Sequence, residues 1–192
     1  MRIVSGRFKG RRLARPSGGD LRPTSDKVRE SIFNILSHGR LQCDLEGAHV
    51  LDLFAGTGAL GIEALSRGAA TCLFVETDVA SRALIQENIN AFGLGGVSRL
   101  FRRDATLLGP ANQTGQITIA FADPPYGQQL AERALISAID GRWLASGASI
   151  VIEEARDAAV ALPPSLMVCE RRTYGETQIV VAKFQPAILD DA

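Results

Sequence analysis

The chain has 192 residues, 46% hydrophobic and 22% charged, with 21 basic and 21 acidic side chains and a net charge of zero. That size suits one domain around a single sizeable core. No apolar run reaches the ~18 residues of a membrane span, and Met1-Arg2-Ile3-Val4-Ser5-Gly6 lacks the apolar core of a signal peptide, so a membrane partner is not expected. Cys43, Cys72 and Cys169 are odd in number and form no Cys-x-x-Cys pair, which fits buried thiols in a reducing cytoplasm. His38 and His49, the two histidines, belong to no spaced ligand set, so neither a metal site nor a Ser/His/Asp triad is expected.

The neutral total hides an asymmetry. Residues 1–40 carry ten basic and three acidic groups, +7, against −7 for the rest, so a basic arm precedes an acidic body. Such an arm is the usual footprint of phosphate-backbone contacts. Its opening, 1–13, reads as a small β-hairpin with Arg7, Lys9, Arg11 and Arg12 exposed on it, and 16–20 as a loop. Thr24 or Ser25 is placed to cap a helix whose apolar face is Val28, Ile32, Ile35 and Leu36, with Lys27 and Arg29 on the wet side and Gly39 ending it.

From His49 the pattern alternates strand and helix, which predicts βαβ units and a mostly parallel sheet. Strands are expected at 50–53, 72–75, 97–102, 117–121 and 149–152, with helices at 59–67, 80–92 and 130–139 between them. Residues 166–174 and 177–184, joined at Gly175-Glu176, read as an antiparallel pair closing one sheet edge, which makes seven strands in all. The whole forms one domain: a basic extension at 1–20, a core at 21–185 and a tail at 186–192.

The centre of the chain is Asp52-Leu53-Phe54-Ala55-Gly56-Thr57-Gly58, a buried strand running into a glycine turn and a helix. Gly56 and Gly58 can take positive φ and bring the backbone close to a ligand, while amides at the helix start face the space above. Gly56-x-Gly58-x-x-Gly61 is equally the dinucleotide fingerprint, so the turn alone does not name its ligand. Polar strand ends supply Asp52, Glu76, Asp104 and Asp123, a set suited to hydroxyls, amines or a cation. Glu76 can accept from ribose hydroxyls and Asp104 from an adenine amine. Asp123-Pro124-Pro125-Tyr126 is stiff and poor in donors, so its acceptors suit an exocyclic base amine, with the Tyr126 ring as a stacking face.

Asp52-Leu53-Phe54-Ala55-Gly56-Thr57-Gly58 together with Asp123-Pro124-Pro125-Tyr126 resembles the Rossmann-like, class I, S-adenosylmethionine-dependent amino methyltransferases. The segment from Arg22-Pro23-Thr24 to Leu36, the basic opening and Tyr174-Gly175-Glu176-Thr177 are similar to one branch of these. It is the RsmD type, which acts on a guanine N(2) amine of bacterial small-subunit (16S) ribosomal RNA. The resemblance implies an α/β fold. It places Phe54, Ala55, Gly56, Thr57 and Gly58 around the methionine part of S-adenosylmethionine, with Asp52 near its amino group, Glu76 on the ribose and Asp104 on the adenine. Asp123, Pro124, Pro125 and Tyr126 become the catalytic loop, and Arg7, Lys9, Arg11, Arg12 and Arg22 the RNA contacts. It further implies a cytoplasmic monomer whose substrate is ribosomal RNA in an assembling 30S particle. Removing the 1–15 arm is then expected to weaken RNA binding and spare cofactor binding. Rival readings are an adenine-N(6) methyltransferase, a nicotinamide-dependent oxidoreductase and an RNA-binding protein with an inactive methyltransferase fold.

Overall fold

The computed structural model describes residues 1–15, 26–38, 43–112 and 116–186. The expected loop at 16–20, Arg22, the caps at Thr24 or Ser25, Gly39 and the tail after Pro186 lie outside the described residues. In order the elements are α1 (Asp26–His38), β1 (His49–Leu53), α2 (Ala59–Ser66), β2 (Thr71–Val75), α3 (Val79–Phe92), β3 (Ser98–Phe101), β4 (Ile117–Ala122), α4 (Leu130–Asp140), β5 (Leu144–Ala155), β6 (Leu166–Tyr174) and β7 (Thr177–Phe184). Two single-turn 3-10 helices, Gly6–Phe8 and Ala105–Leu107, complete the set.

The strands form one seven-stranded sheet in the order β3-β2-β1-β4-β5-β7-β6. Pairs from β3 through β5 are parallel, and β7 runs antiparallel to both β5 and β6. The last strand is therefore inserted and β6 is the edge. Composition explains this: β7 is apolar and buried along nearly its whole length, whereas β6 carries exposed Arg171 and Arg172, suited to an edge. β5 begins five residues earlier than the sequence pattern suggests, because Gly147, with φ of 76°, interrupts the apolar run.

Successive side chains of a strand face opposite sides, so each strand feeds two cores. Val50, Phe74, Ile119 and Phe121 pack under Ile62, Ile85 and Phe33. Leu51, Leu53, Ala120, Ile150 and Ile152 pack against Ala131, Ala134, Leu135 and Ala138 of α4. Asp52 shares the face of Val50, beneath α2, which fixes its environment. Gly61 lets α2 sit down on the sheet: a Cβ there would lie 2.4 Å from Phe74 Cε1 and 2.5 Å from Cys72 Sγ.

One expectation is corrected and one refined. Arg29 is not on the wet side of α1 but fully buried. Its guanidinium pairs with Asp26 at 2.9 Å and Glu63 at 3.5 Å and donates to the Arg2 carbonyl. A buried cation persists only when paired and hydrogen-bonded; Asp26 is its i,i+3 neighbour on α1, but Glu63 and the Arg2 carbonyl come from other segments, beyond the reach of helical periodicity. The opening hairpin is short: the antiparallel bridge Arg2↔Arg12 and the bonds Ile3 N→Arg11 O and Gly10 N→Ile3 O close it around the Gly6–Phe8 turn. Side-chain acceptors supplement this short ladder: Val4 N and Ser5 N donate to the two Glu63 oxygens at 2.8 and 2.9 Å, Phe8 N to Ser66 Oγ, and Ala14 N to Asn88 Oδ1. Ile3 and Leu13 are buried in the same core as α1 and α2.

Candidate active site at the carboxyl edge of the sheet

β1 and β4 are adjacent parallel strands, with Leu53 paired to Ala122, yet the helices that follow them cover opposite faces. That divergence opens a crevice above the strand ends, where open α/β sheets bind ligands. Into it run the glycine turn from β1 and Asp123-Pro124-Pro125-Tyr126 from β4. On the other side of β1, Leu53 pairs with Val75, and next to that Val75 pairs with Phe101. The strand ends thus line up as Asp104, Glu76, the glycine turn, Asp123 and the Glu153-Glu154 pair.

The turn is a shaped loop. Phe54, Gly56 and Gly58 all have positive φ, at 60°, 56° and 77°, and for Phe54 this is a strained conformation seldom adopted without a structural demand. Glu76 helps to hold it: Oε2 accepts from Gly56 N and Oε1 from Asp78 N, both at 2.8 Å. A carboxylate offers about four acceptor sites, so Glu76 retains capacity for two hydroxyls. Above Gly56 the space is open, the nearest atom to a Cβ there being the Phe54 carbonyl oxygen at 3.9 Å. Ala55 is buried and Thr57 half-buried; Thr57 Oγ1 donates to Met1 Sδ at 3.8 Å, and Asn88 Nδ2 donates to the Thr57 carbonyl at 3.0 Å.

Asp52 is enclosed, 1% exposed, and its Oδ2 accepts from Gly61 N at 2.9 Å, behind the turn rather than at its open side. Burial raises its pKa to about 8 against the lowering effect of the Gly61 amide, with repulsion from Glu76 adding to the rise. Asp104 is exposed; its Oδ1 accepts from Thr106 N and Oγ1, both at 2.8 Å, as the cap of the Ala105–Leu107 turn. Exposed Val79 and Leu107 stand beside Glu76 and Asp104 as apolar side chains at the same edge.

In the second loop Asp123 is half-buried, Pro124 buried and Pro125 exposed. The Tyr126 hydroxyl donates to Glu153 Oε1 at 2.9 Å and lies 3.1 Å from Thr177 Oγ1, while Gly127 N donates to Glu154 Oε1 at 3.0 Å. Burial holds the phenol well above its usual pKa despite the Thr177 hydroxyl, with Glu153 and Asp123 contributing, so the ring is clamped by a protonated donor. Of the basic residues, Arg7, Lys9, Arg11 and Arg12 are exposed, but Arg11 is engaged. Its Nη2 donates to the Ala91 carbonyl at 2.6 Å, and its guanidinium lies 4.3 Å above the Phe92 ring. Among the described residues no group of three or more His, Cys, Asp or Glu side chains could hold a metal ion, and no helix is long and apolar enough to cross a membrane.

Comparison with known proteins gives this arrangement a lineage. The family described as "Conserved hypothetical protein 95" matches residues 1–183. Ribosomal RNA small subunit methyltransferase D of Escherichia coli is 33% identical over 92% of this chain and 86% of its own length. The chain belongs to this family. The putative rRNA methyltransferase YlbH of Bacillus subtilis is 37% identical over 95% of this chain and 98% of its own. The solved structure of yhhF from Escherichia coli superposes with a TM-score of 0.83, at 32% identity, covering 96% of this chain and 98% of that one. The fold is accordingly that of the Rossmann-like methyltransferases. Site residues that sequence reasoning missed are Glu153 and Glu154, Asn88, and the Met1 contact to Thr57. The glutamates had a usable signal, since two acids directly follow the apolar run of β5; Asn88 and Met1 had none.

Proposed function

We propose that the chain transfers a methyl group from S-adenosylmethionine to the exocyclic N(2) amine of a guanine in small-subunit ribosomal RNA. The observation that carries this reading is the adjacency of the glycine turn, with Glu76 beside it, and the stiff acceptor loop 123–126, with a basic arm docked next to the turn. The relatives named as ribosomal RNA small subunit methyltransferases support the substrate class.

The residues fit the cofactor. Open space over Gly56 and the amides of the turn suit its methionine part, Glu76 the ribose hydroxyls, and the spare oxygen of Asp104 the adenine amine, with Val79 and Leu107 as apolar walls. Asp52 then acts through the turn, by holding Gly61 N. When bound, S-adenosylmethionine supplies an electrophilic methyl on a sulfonium.

The remaining work belongs to the protein. A guanine amine is a poor nucleophile because its lone pair is delocalised into the ring. Asp123 and the Pro124 carbonyl accept its two N–H bonds and return electron density to nitrogen as the new bond forms. Tyr126, fixed through its hydroxyl by Glu153 and Thr177, offers its ring to the base. A guanine in structured RNA has to be turned outward to enter. Positioning of this kind can supply several kcal/mol of the barrier. Asp123→Ala is expected to lower turnover at least about 100-fold while changing S-adenosylhomocysteine affinity little. The enzyme acts as a cytoplasmic monomer on an assembling 30S particle.

The deciding experiment is transfer of labelled methyl to small-subunit particles lacking their modifications, followed by nucleoside analysis. Label in N(2)-methylguanosine is the expected result; label in methyladenosine overturns the acceptor assignment.

A further inference from the structure

The bridge between Arg2 and Arg12 is flanked by Ile3 N→Arg11 O at 3.0 Å and Leu13 N→Met1 O at 3.4 Å. That pattern makes it a non-hydrogen-bonded antiparallel pair, the narrow kind, in which opposed side chains come closest. Two like charges directly opposite each other destabilise a strand pair. Here both are arginines, both exposed, and neither makes an ion pair among the described residues. Together with Met1, Leu13 and a third exposed arginine, Arg15, they line a cavity of about 380 Å³. The field there is positive: after burial, Arg15, Arg29 and Arg2 lower the pKa of the Met1 amino group, while Asp26, itself paired with Arg29, partly offsets them.

The cavity is tied to the glycine turn. Met1 lines it and also accepts the Thr57 hydroxyl, and Ala14, between Leu13 and Arg15, is bonded through Asn88 to the Thr57 carbonyl. Arg11, on the opposite flank of the arm, is spent in docking it to α3.

We propose that the Arg2–Arg12–Arg15 cavity is an oxyanion site that receives a phosphodiester of the RNA next to the nucleotide being methylated. An anion between Arg2 and Arg12 relieves their repulsion, and guanidinium forks match the geometry of phosphate oxygens. The inference rests on the RNA reading above but names a different set of contacts: Arg2 and Arg15 join Arg12, and Arg11 leaves. The other source of the same chemistry is the carboxylate of the cofactor's methionine part.

The test uses the full chain with Arg2→Gln, Arg12→Gln and Arg15→Gln, and Arg99→Gln, exposed on β3, as a control of equal charge change. Affinity for a small-subunit ribosomal RNA transcript is measured across a salt series, and S-adenosylhomocysteine affinity by calorimetry. Thermal unfolding confirms that each variant folds. Each cavity variant is expected to weaken RNA binding about tenfold near 0.1 M salt and to reduce the salt slope by about one, with S-adenosylhomocysteine affinity and the Arg99 control unchanged. A loss of S-adenosylhomocysteine affinity with an unchanged salt slope assigns the cavity to the cofactor carboxylate and overturns the proposal. A chain that methylates guanine but keeps its slope in all three variants also overturns it, leaving the proposed function intact. A chain that needs the cavity for RNA but methylates no guanine overturns the function alone.

Discussion

Asp52 shows how a strand-end acid can be enclosed beneath the glycine turn and bonded to its backbone. Its carboxyl is buried and bonded to Gly61 N, with its pKa raised to about 8 by that burial. Between the ordinary carboxyl value near 4 and about 8, the native state therefore binds a proton that the unfolded chain has released. The contribution is fully present below pH 4 and is lost as pH rises toward 8. Asp52→Asn keeps the acceptor for Gly61 N and cannot ionise. Relative to that variant, the wild type is expected to lose unfolding free energy as pH rises across this window, by a few kcal/mol in all, since one unit is worth about 1.4 kcal/mol. Chemical denaturation at a series of pH values checks it; a flat or rising difference would show that Asp52 is ionised in the native state.

At the scale of elements, Glu63 in the middle of α2 joins three segments. Its two oxygens accept the Val4 and Ser5 amides and pair with Arg29 of α1 and Arg67 at the end of α2. Glu63 and Arg29 are both fully buried, so removing the acid leaves a buried guanidinium with only the half-exposed Asp26 and the Arg2 carbonyl as partners. Glu63→Ala is expected to cost about 3–5 kcal/mol, read from the denaturant midpoint. A loss below about 1 kcal/mol would mean that Arg29 finds water or another partner. The helical pattern of α1 could not reveal this link, because periodicity places Arg29 on a face without saying what covers that face.

At the scale of the whole molecule, the arm behaves as part of the body. With Ile3 and Leu13 in the core and Phe8 edge-on to Phe92 at 5.1 Å, it is held by apolar burial as well as hydrogen bonds. Deleting residues 1–15 is therefore expected to lower the melting temperature by several degrees and to weaken S-adenosylhomocysteine binding along with RNA, because Met1 contacts Thr57 and Ala14 N holds Asn88, which bonds the Thr57 carbonyl. This replaces the sequence-based expectation that deletion would spare the cofactor; calorimetry on the truncated chain distinguishes the two. Surface substitutions, which leave Ile3 and Leu13 in place, are the cleaner probe of RNA contacts.

The sequence by itself determined the alternation of strands and helices, the turn at Gly56-Thr57-Gly58, and the loop Asp123-Pro124-Pro125-Tyr126. These follow from local causes: apolar periodicity, glycine at positive φ, proline's fixed φ. The predicted strands β6 and β7 match the observed ends residue for residue, since a Gly175-Glu176 turn between two alternating runs leaves little freedom. Only the tertiary structure decided that Arg29 is buried, that Arg11 is occupied by α3, that Asp52 lies behind its turn, and that Glu153 clamps Tyr126. Each depends on a partner 20 or more residues away in the chain or on another element, and a side chain's charge does not say which partner it will meet. Pairing of that kind is set by which strands the sheet places side by side, a property of the assembled core.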